Sequence, residues 1–166
     1  MTLAVLGLGG NIGETRQLLA AAVARLAEHP GIRVEAVSAL YRTPPWGKTD
    51  QPHFLNAAVR IDTSLTARGL LNAVLSIERQ FGRERSQRWG PRTVDIDVLL
   101  FGGEVIDEPG LRIPHPRLTE RAFALAPLVD VVPDAELSGR RAADWLNHAD
   151  RAGMVRLAEP DWHRAG

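Results

Sequence analysis

Residues 88–101 read RWGPRTVDIDVLLF, and from Val94 onward they form a β-strand pattern that carries two aspartates, Asp95 and Asp97. Asp is depleted in strands, and a carboxylate among apolar side chains is costly unless it has a partner. Strand side chains alternate, so the two carboxylates share a face, roughly 6–7 Å apart along the strand. Leu99 and Phe101 are expected to continue that face, which is therefore not simply polar. For an isolated D-x-D the blander reading, a solvent-facing sheet edge, would be preferred. The residues just upstream change the balance. Arg79, Arg83, Arg85, Arg88 and Arg92 crowd one stretch, countered locally by Glu78 and Glu84. Converging carboxylates can hold two metal ions about 3.5–4 Å apart. Guanidiniums recognise phosphate bidentately. Phosphoryl transfer needs both.

The flanking pattern places this strand in a fold. Leu3 to Leu8 reads as a strand ended by Gly9-Gly10-Asn11. Glu14 to Glu28 reads as an amphipathic helix with Leu18, Leu19, Ala22, Val23 and Leu26 on one side. Arg33 to Tyr41 reads as one strand, with Val34, Ala36, Ser38 and Leu40 on one face and Val37 on the other. Phe54 to Thr63 is a further strand. Thr66 is placed to cap a helix running to about Phe81. The order is β-α-β-β-α-β, that of a ferredoxin-like α+β sandwich with helices on one face of an antiparallel sheet. C-terminal additions follow: a short helix over Phe123 to Val131 and another over Ala142 to Ala149. A single domain over 1–166 is expected, with a core at about 2–135 and an extension at about 140–166.

Composition narrows the function classes. The 166 residues include no cysteine, which excludes a disulfide framework, a thiol nucleophile and a Cys-based zinc site. That, and a start without the pattern of a secretory signal, fits a cytoplasmic protein. No apolar run reaches membrane-spanning length. Lys plus Arg number 20 and Asp plus Glu 20, so there is no overall bias toward polyanions. Ferredoxin-like sheets can bind RNA through strand aromatics, but these are scarce here and the RNP-type pattern is missing. Two glycine motifs are decoys. Gly7-Leu8-Gly9-Gly10-Asn11-Ile12 lacks the third glycine of a dinucleotide fingerprint, and Gly47-Lys48-Thr49 lacks the upstream glycine of a P-loop. The loop Arg42-Thr43-Pro44-Pro45-Trp46-Gly47 with Phe54-Leu55-Asn56 is compatible with plain turn and core, or with an aromatic slot for a flat, hydrogen-bonding heterocycle. His115 lies between two prolines, with Arg117 and Arg121 nearby, either as a structural residue or as a phosphate contact.

Five segments carry a resemblance in order and spacing: Tyr41-Arg42-Thr43-Pro44-Pro45, Gln51-Pro52-His53-Phe54-Leu55-Asn56-Ala57, Gly82-Arg83, Arg88 to Asp97, and Pro114-His115-Pro116. Together they resemble the 6-hydroxymethyl-7,8-dihydropterin pyrophosphokinase family of folate biosynthesis. Gly9-Gly10-Asn11-Ile12-Gly13 is similar to its G-S-N-L-G pattern. The resemblance implies a ferredoxin-like fold and transfer of pyrophosphate from ATP, the co-substrate, to the pterin hydroxymethyl group, releasing AMP. It implies two Mg²⁺ ions on Asp95 and Asp97, with Arg83 and Arg92 completing the catalytic set. It places Glu78, Arg83, Arg85, Trp89, Arg92, Ile96, Val98, His115 and Arg121 at ATP. It places Thr43, Pro44, Pro45, Trp46, Phe54, Asn56, Asp95 and Phe123 at the pterin. Small-molecule substrates, no nucleic acid, no membrane and a monomer are expected.

The chain departs from the family at Leu75, Gly110, Arg112 and Pro116 on the presumed ATP side, and at Trp46 in the pterin loop. Two other classes stay open: a metal-dependent nucleotidyl-transfer or nuclease site, and an RNA-binding module without catalysis. Pterin-independent turnover of ATP or DNA would favour the first. Metal-independent, salt-sensitive RNA binding would favour the second.

Overall fold

The computed structural model describes residues 1–11, 13–44, 52–82 and 94–164. In chain order these form β1 (Thr2–Gly10), α1 (Thr15–Glu28), β2 (Ile32–Val37), β3 (Tyr41–Thr43), β4 (Phe54–Thr63) and α2 (Ala67–Gly82). Then come β5 (Asp95–Phe101), β6 (Ile106–Glu108), β7 (Leu111–Ile113), α3 (Ala122–Val131), β8 (Glu136–Leu137), β9 (Arg140–Arg141), α4 (Ala142–His148) and β10 (Val155–Arg156). The main sheet runs β10-β3-β4-β1-β5, with β2 also pairing β4, and its pairings are antiparallel. β6–β7 and β8–β9 are separate hairpins. The chain is thus α+β, with β1 and β4 paired from Thr2↔Thr63 to Gly10↔Leu55 at its centre.

Two helices cover one face for the reason their spacing gives. Leu19, Ala22, Val23 and Leu26 of α1 and Leu70, Val74, Ile77 and Phe81 of α2 recur at helical period, and all are buried. They meet Leu6, Leu8, Ile96 and Val98 from the sheet. Fully burying each large apolar side chain contributes about 1.5–3 kcal/mol. The Gly69 N–H donates to Thr66 Oγ1 at 3.0 Å, so Thr66 caps α2 as expected.

The other face is not open. Leu125, Leu128 and Val131 of α3 and Ala142 of α4 close it against Val5, Ala58 and Leu99. The expectation of helices on one face holds for α1 and α2 and is corrected by the C-terminal helices. α3 is apolar almost all round, which suits a helix packed between a sheet and α4.

Two irregularities change which residues share a face. Pairing in β2 shifts from Val34↔Ile61 to Ala36↔Arg60, leaving an extra residue at Glu35. Val34 and Val37 therefore pack with α1 and α2, and Ala36 with α3, against the expected grouping of Val34 with Ala36. The expected single strand from Arg33 to Tyr41 is also broken. The Ser38 N–H still donates to the Ala58 carbonyl at 2.9 Å, but the return bond from the Ala58 N–H goes to Ser38 Oγ at 2.8 Å rather than to a backbone carbonyl, before β3 resumes. In β5, Leu6↔Val98 gives way to Val5↔Leu100. Leu99 stays on the aspartate side, while Phe101 turns into the α1–α2 core, so Phe101 does not continue the aspartate face.

The segment after Arg140 belongs to the packed structure. β10 adds to the outer side of β3, with Val155↔Arg42 and Arg156↔Tyr41 opposed. Trp162 is 1% exposed, and its Nε1–H donates to the Ser38 carbonyl at 2.9 Å. No described helix is long and apolar enough to cross a membrane.

Candidate active site

Register across the sheet assembles the site. On β1, Gly9 lies opposite Asp95 of β5 on one side and Asn56 of β4 on the other. Gly7 lies opposite Asp97 and Ala58. Asn56 in turn pairs with Tyr41, and Phe54 with Thr43, on β3. Two rows thus run across the sheet on the α3 side, with carboxylates at one margin and an amide and an aromatic ring toward the other.

Glycine in the middle of each row keeps the floor low. A Cβ on Gly9 would sit 2.8 Å from Asn56 Oδ1, and one on Gly7 would sit 3.2 Å from Leu99 Cδ1. Above this floor is a cavity of about 240 Å³ lined by Asp95, Asp97, Phe54, Asn56, Thr43, Arg121 and Phe123, with Gly7, Gly9 and Leu99 beneath. The sequence reading ends this strand at Leu8, with Gly9 as punctuation and Gly7 only as part of a decoy motif, whereas β1 runs on through Gly10 and both glycines form the floor. Glycines two apart in a strand, marking a close approach on one face, were the available signal. The Asn56 Nδ2 donates to Thr43 Oγ1 at 3.1 Å, which orients the amide and leaves it further hydrogen-bonding positions.

The first turn of α3 supplies the remaining wall. The Arg121 carbonyl accepts N–H bonds from Ala124 at 3.0 Å and Leu125 at 2.9 Å, starting the helix that carries Phe123. The Arg121 guanidinium stands 5.8 Å from the centre of the Phe123 ring. His115 is half-buried, and its Nδ1 accepts the Arg117 N–H at 3.1 Å. Burial holds the His115 pKa below its ordinary value, and the nearby Arg121 charge adds to this while Asp97 opposes it. A neutral His115 with Nδ1 accepting carries its proton on Nε2.

The structure sorts the other expected residues. Glu78 Oε2 accepts the Ile96 N–H at 2.6 Å, so α2 anchors β5 at the residue between the aspartates. Ile96 and Val98 point into the α1–α2 core, 3% and 8% exposed, which leaves their backbone rather than their side chains to meet a ligand. Pro44 borders a second cavity next to the first. Of the departures, Gly110 has φ +76° at the β6–β7 turn, which favours glycine. Arg112 pairs with Asp107 across the same hairpin at 3.3 Å. Pro45, Trp46, Arg83, Arg85, Trp89 and Arg92 lie outside the described residues.

The donor set suits Mg²⁺. Asp95 and Asp97 line one cavity, and among the described residues no group of three metal-ligating side chains gathers anywhere. A hard cation that keeps waters and takes phosphate oxygens needs only one or two protein carboxylates.

A family model described as 7,8-dihydro-6-hydroxymethylpterin-pyrophosphokinase (HPPK) matches residues 5–133. The chain belongs to this family. It is therefore an enzyme, a diphosphotransferase whose activity class is pyrophosphoryl transfer. Over 157 residues it is 53% identical to the 2-amino-4-hydroxy-6-hydroxymethyldihydropteridine pyrophosphokinase of Methylorubrum extorquens, covering 95% of this chain and 99% of that one. The enzyme of the same name from Bacillus subtilis is 47% identical over 134 residues, covering 81% and 80%. A crystal structure of Plasmodium falciparum HPPK-DHPS superposes with a TM-score of 0.70 at 17% identity, covering 89% of this chain and 45% of that one. The chain spans about half the length of that solved structure, and the likeness shows the fold.

Proposed function

We propose that the chain transfers pyrophosphate from ATP to the hydroxymethyl group of 6-hydroxymethyl-7,8-dihydropterin, giving the pterin diphosphate and AMP in folate biosynthesis. The observation that carries this reading is the single cavity that joins the Asp95–Asp97 pair to Phe54, Asn56 and Phe123. Its volume of about 240 Å³ lies below the usual range of about 300–1,000 Å³ for drug-sized ligands and suits a small bicycle. Phe54 and Phe123 offer apolar ring faces to a flat heterocycle. Asn56 reads its polar edge, beside Thr43 and Pro44. The strand order β5-β1-β4-β2, with α1 and α2 on one face, supports a ferredoxin-like core.

In the reaction the substrate hydroxyl oxygen bonds to the β-phosphorus of ATP and the bond from that phosphorus to the α-phosphate oxygen breaks. AMP departs with that oxygen, and the hydroxyl proton passes to solvent or to a carboxylate of the pair. Asp95 and Asp97 would hold Mg²⁺, which supplies charge neutralisation on the phosphates and a more acidic substrate hydroxyl when bound. Catalysis then rests on positioning and electrostatics rather than a covalent intermediate. Arg121 and a neutral His115 present donors beside the pair, and the family resemblance adds Arg83, Arg85 and Arg92 as phosphate contacts and Trp89 as a loop residue over the site. Glu78 sets the register of the pair through the Ile96 N–H.

The test is incubation with ATP, Mg²⁺ and the reduced hydroxymethylpterin. AMP and pterin diphosphate are expected in equal amounts, and neither without a divalent metal. Release of ADP, or ATP turnover that ignores the pterin, overturns the proposal.

A further inference from the structure

The residues after 133 lie beyond the span matched by the family model, yet they reach the pterin side of the site. A second cavity of about 310 Å³ adjoins the first and shares Thr43, Arg121 and Phe123 with it. Its outer wall is Asp150, Arg151, Ala152 and Met154. Between Ala152 and Met154, Gly153 has φ +76°, and a Cβ there would lie 2.8 Å from Pro44 Cγ. Pro44 therefore rests on the backbone of this segment.

Three residues beyond Gly153, the segment is tied down. Arg156 Nε donates to the Tyr41 hydroxyl at 3.2 Å, and its guanidinium lies 3.6 Å from Asp130 Oδ2. The Tyr41 hydroxyl donates to the same Asp130 oxygen at 2.8 Å, and so does the Ala39 N–H at 3.2 Å. Tyr41 begins β3, which ends in Thr43. Asp130 lies in the last turn of α3, whose first turn carries Phe123. One carboxylate thus joins the tail, the strand and the helix that bear the pterin-side wall.

We propose that the C-terminal segment 150–156 is the outer support of the pterin half of the site, and that Gly153 and Arg156 are positioning residues for it. Gly153 acts by seating Pro44, and Arg156 by locking β10 to β3 and α3 through Tyr41 and Asp130. The inference rests on the pterin reading above. The Arg156 side chain is 65% exposed, so its ion pair contributes little to overall stability. Its effect should appear in ligand affinity instead.

The experiment uses full-length Arg156→Ala, Gly153→Ala and Arg156→Lys. Each is titrated with the reduced hydroxymethylpterin and, separately, with a non-hydrolysable ATP analogue plus Mg²⁺, alongside kcat, pterin KM and Tm. Arg156→Ala and Gly153→Ala should raise the pterin Kd and KM by about three- to tenfold. Analogue affinity and kcat should stay within about twofold of the parent. Arg156→Lys should recover part of the loss, because it keeps a charge for Asp130. Unchanged pterin affinity in both variants overturns the inference. So does an equal loss for both ligands that follows the fall in Tm, since that is the behaviour of a purely structural contact. A parent that binds no pterin sinks the proposed function and this inference together. A parent that binds it while both variants bind it equally well sinks the inference alone.

Discussion

Gly9→Ala puts a methyl group where the site has least room. The new Cβ would lie 2.8 Å from Asn56 Oδ1, a separation that packed atoms do not tolerate. Asn56 is short and 8% exposed, and its amide is already committed to Thr43 Oγ1 at 3.1 Å. Relief requires the amide to swing away and give up that bond, a net loss of about 1 kcal/mol. Overpacking adds about 1–3 kcal/mol, offset by about 0.4–1 kcal/mol from a stiffer unfolded chain. The fold should lose about 1–4 kcal/mol, or about 2–4 °C in Tm for each kcal/mol. Pterin binding should suffer more specifically, because the polar edge that Asn56 is proposed to read would be left unpaired at about 1–3 kcal/mol. At about 1.4 kcal/mol per decade this is about a 5- to 150-fold rise in pterin Kd. Calorimetric titration with the reduced hydroxymethylpterin reads it, and titration with an ATP analogue should be unchanged within about twofold. Gly7→Ala is the internal control. Its Cβ meets the tip of Leu99 at 3.2 Å, which a rotamer adjustment can relieve, so its effect on pterin should be under about threefold. Parent-like pterin binding in Gly9→Ala, or equal effects at both glycines, would refute the idea that this floor shapes the slot.

Asp97→Ala should lower turnover by about 10²–10³ or more, leave the ligand-free Tm equal or slightly higher because two like charges no longer face one another, and remove the stabilisation by Mg²⁺ with an ATP analogue. Thermal melts would overturn the metal assignment if ligand-free stability fell while the ligand shift survived. Tyr41 is the chain's one tyrosine, and burial first, then its bond to Asp130, push its pKa up to about 12 from 10.0. Tyrosinate absorbance should therefore titrate near 12, and because the unfolded chain releases this proton first, stability should fall as pH rises from about 10 toward 12. A midpoint near 10 in the folded protein would contradict the buried pairing. His115 should titrate below 6.5 by NMR and move up in Arg121→Ala. Its lowered folded pKa means its share of stability is present above about pH 6.5 and is lost as pH falls through the folded value.

Much of the fold was legible because its signals are local and periodic. The four-residue and seven-residue spacings buried Leu19, Ala22, Val23, Leu26, Leu70, Val74 and Ile77 but left Leu18, Leu71 and Leu75 at the margin of that face, partly exposed, and Thr66 capped α2 where a hydroxyl three residues before Gly69 predicts it. The faces of β2 and β5 were not legible, because alternation assumes an uninterrupted ladder. One extra residue at Glu35 and another at Leu99 reverse every face beyond them, and nothing in Val34-Glu35-Ala36 or Val98-Leu99-Leu100 announces a bulge. The tail was unread for a related reason. A two-residue strand carries no period, and Gly153 and Arg156 acquire meaning only through Pro44 and Asp130, which are far away in sequence.

The bulge in β5 bears on why an Asp-x-Asp pair can occupy a strand at all. Without it, strict alternation would place Asp95, Asp97, Leu99 and Phe101 on one face, and a phenyl ring would stand in the α3 layer in line with the carboxylates. With it, Leu99 follows the aspartates and packs under α3, where the partly buried Leu100 meets the same cluster, while Phe101 fills the core beneath α1 and α2. The carboxylate end of β5 can then lie at the cavity margin while its far end is buried on both faces. Glu78 completes this arrangement from the helix side by taking the Ile96 N–H, a donor that an edge strand would otherwise present to solvent. The aspartates are thus held by a strand fixed at both ends, by an ionic hydrogen bond at one and by two hydrophobic layers at the other. Preorganisation of this kind is what an electrostatic site requires, because groups already in place need no reorganisation when charge moves in the transition state.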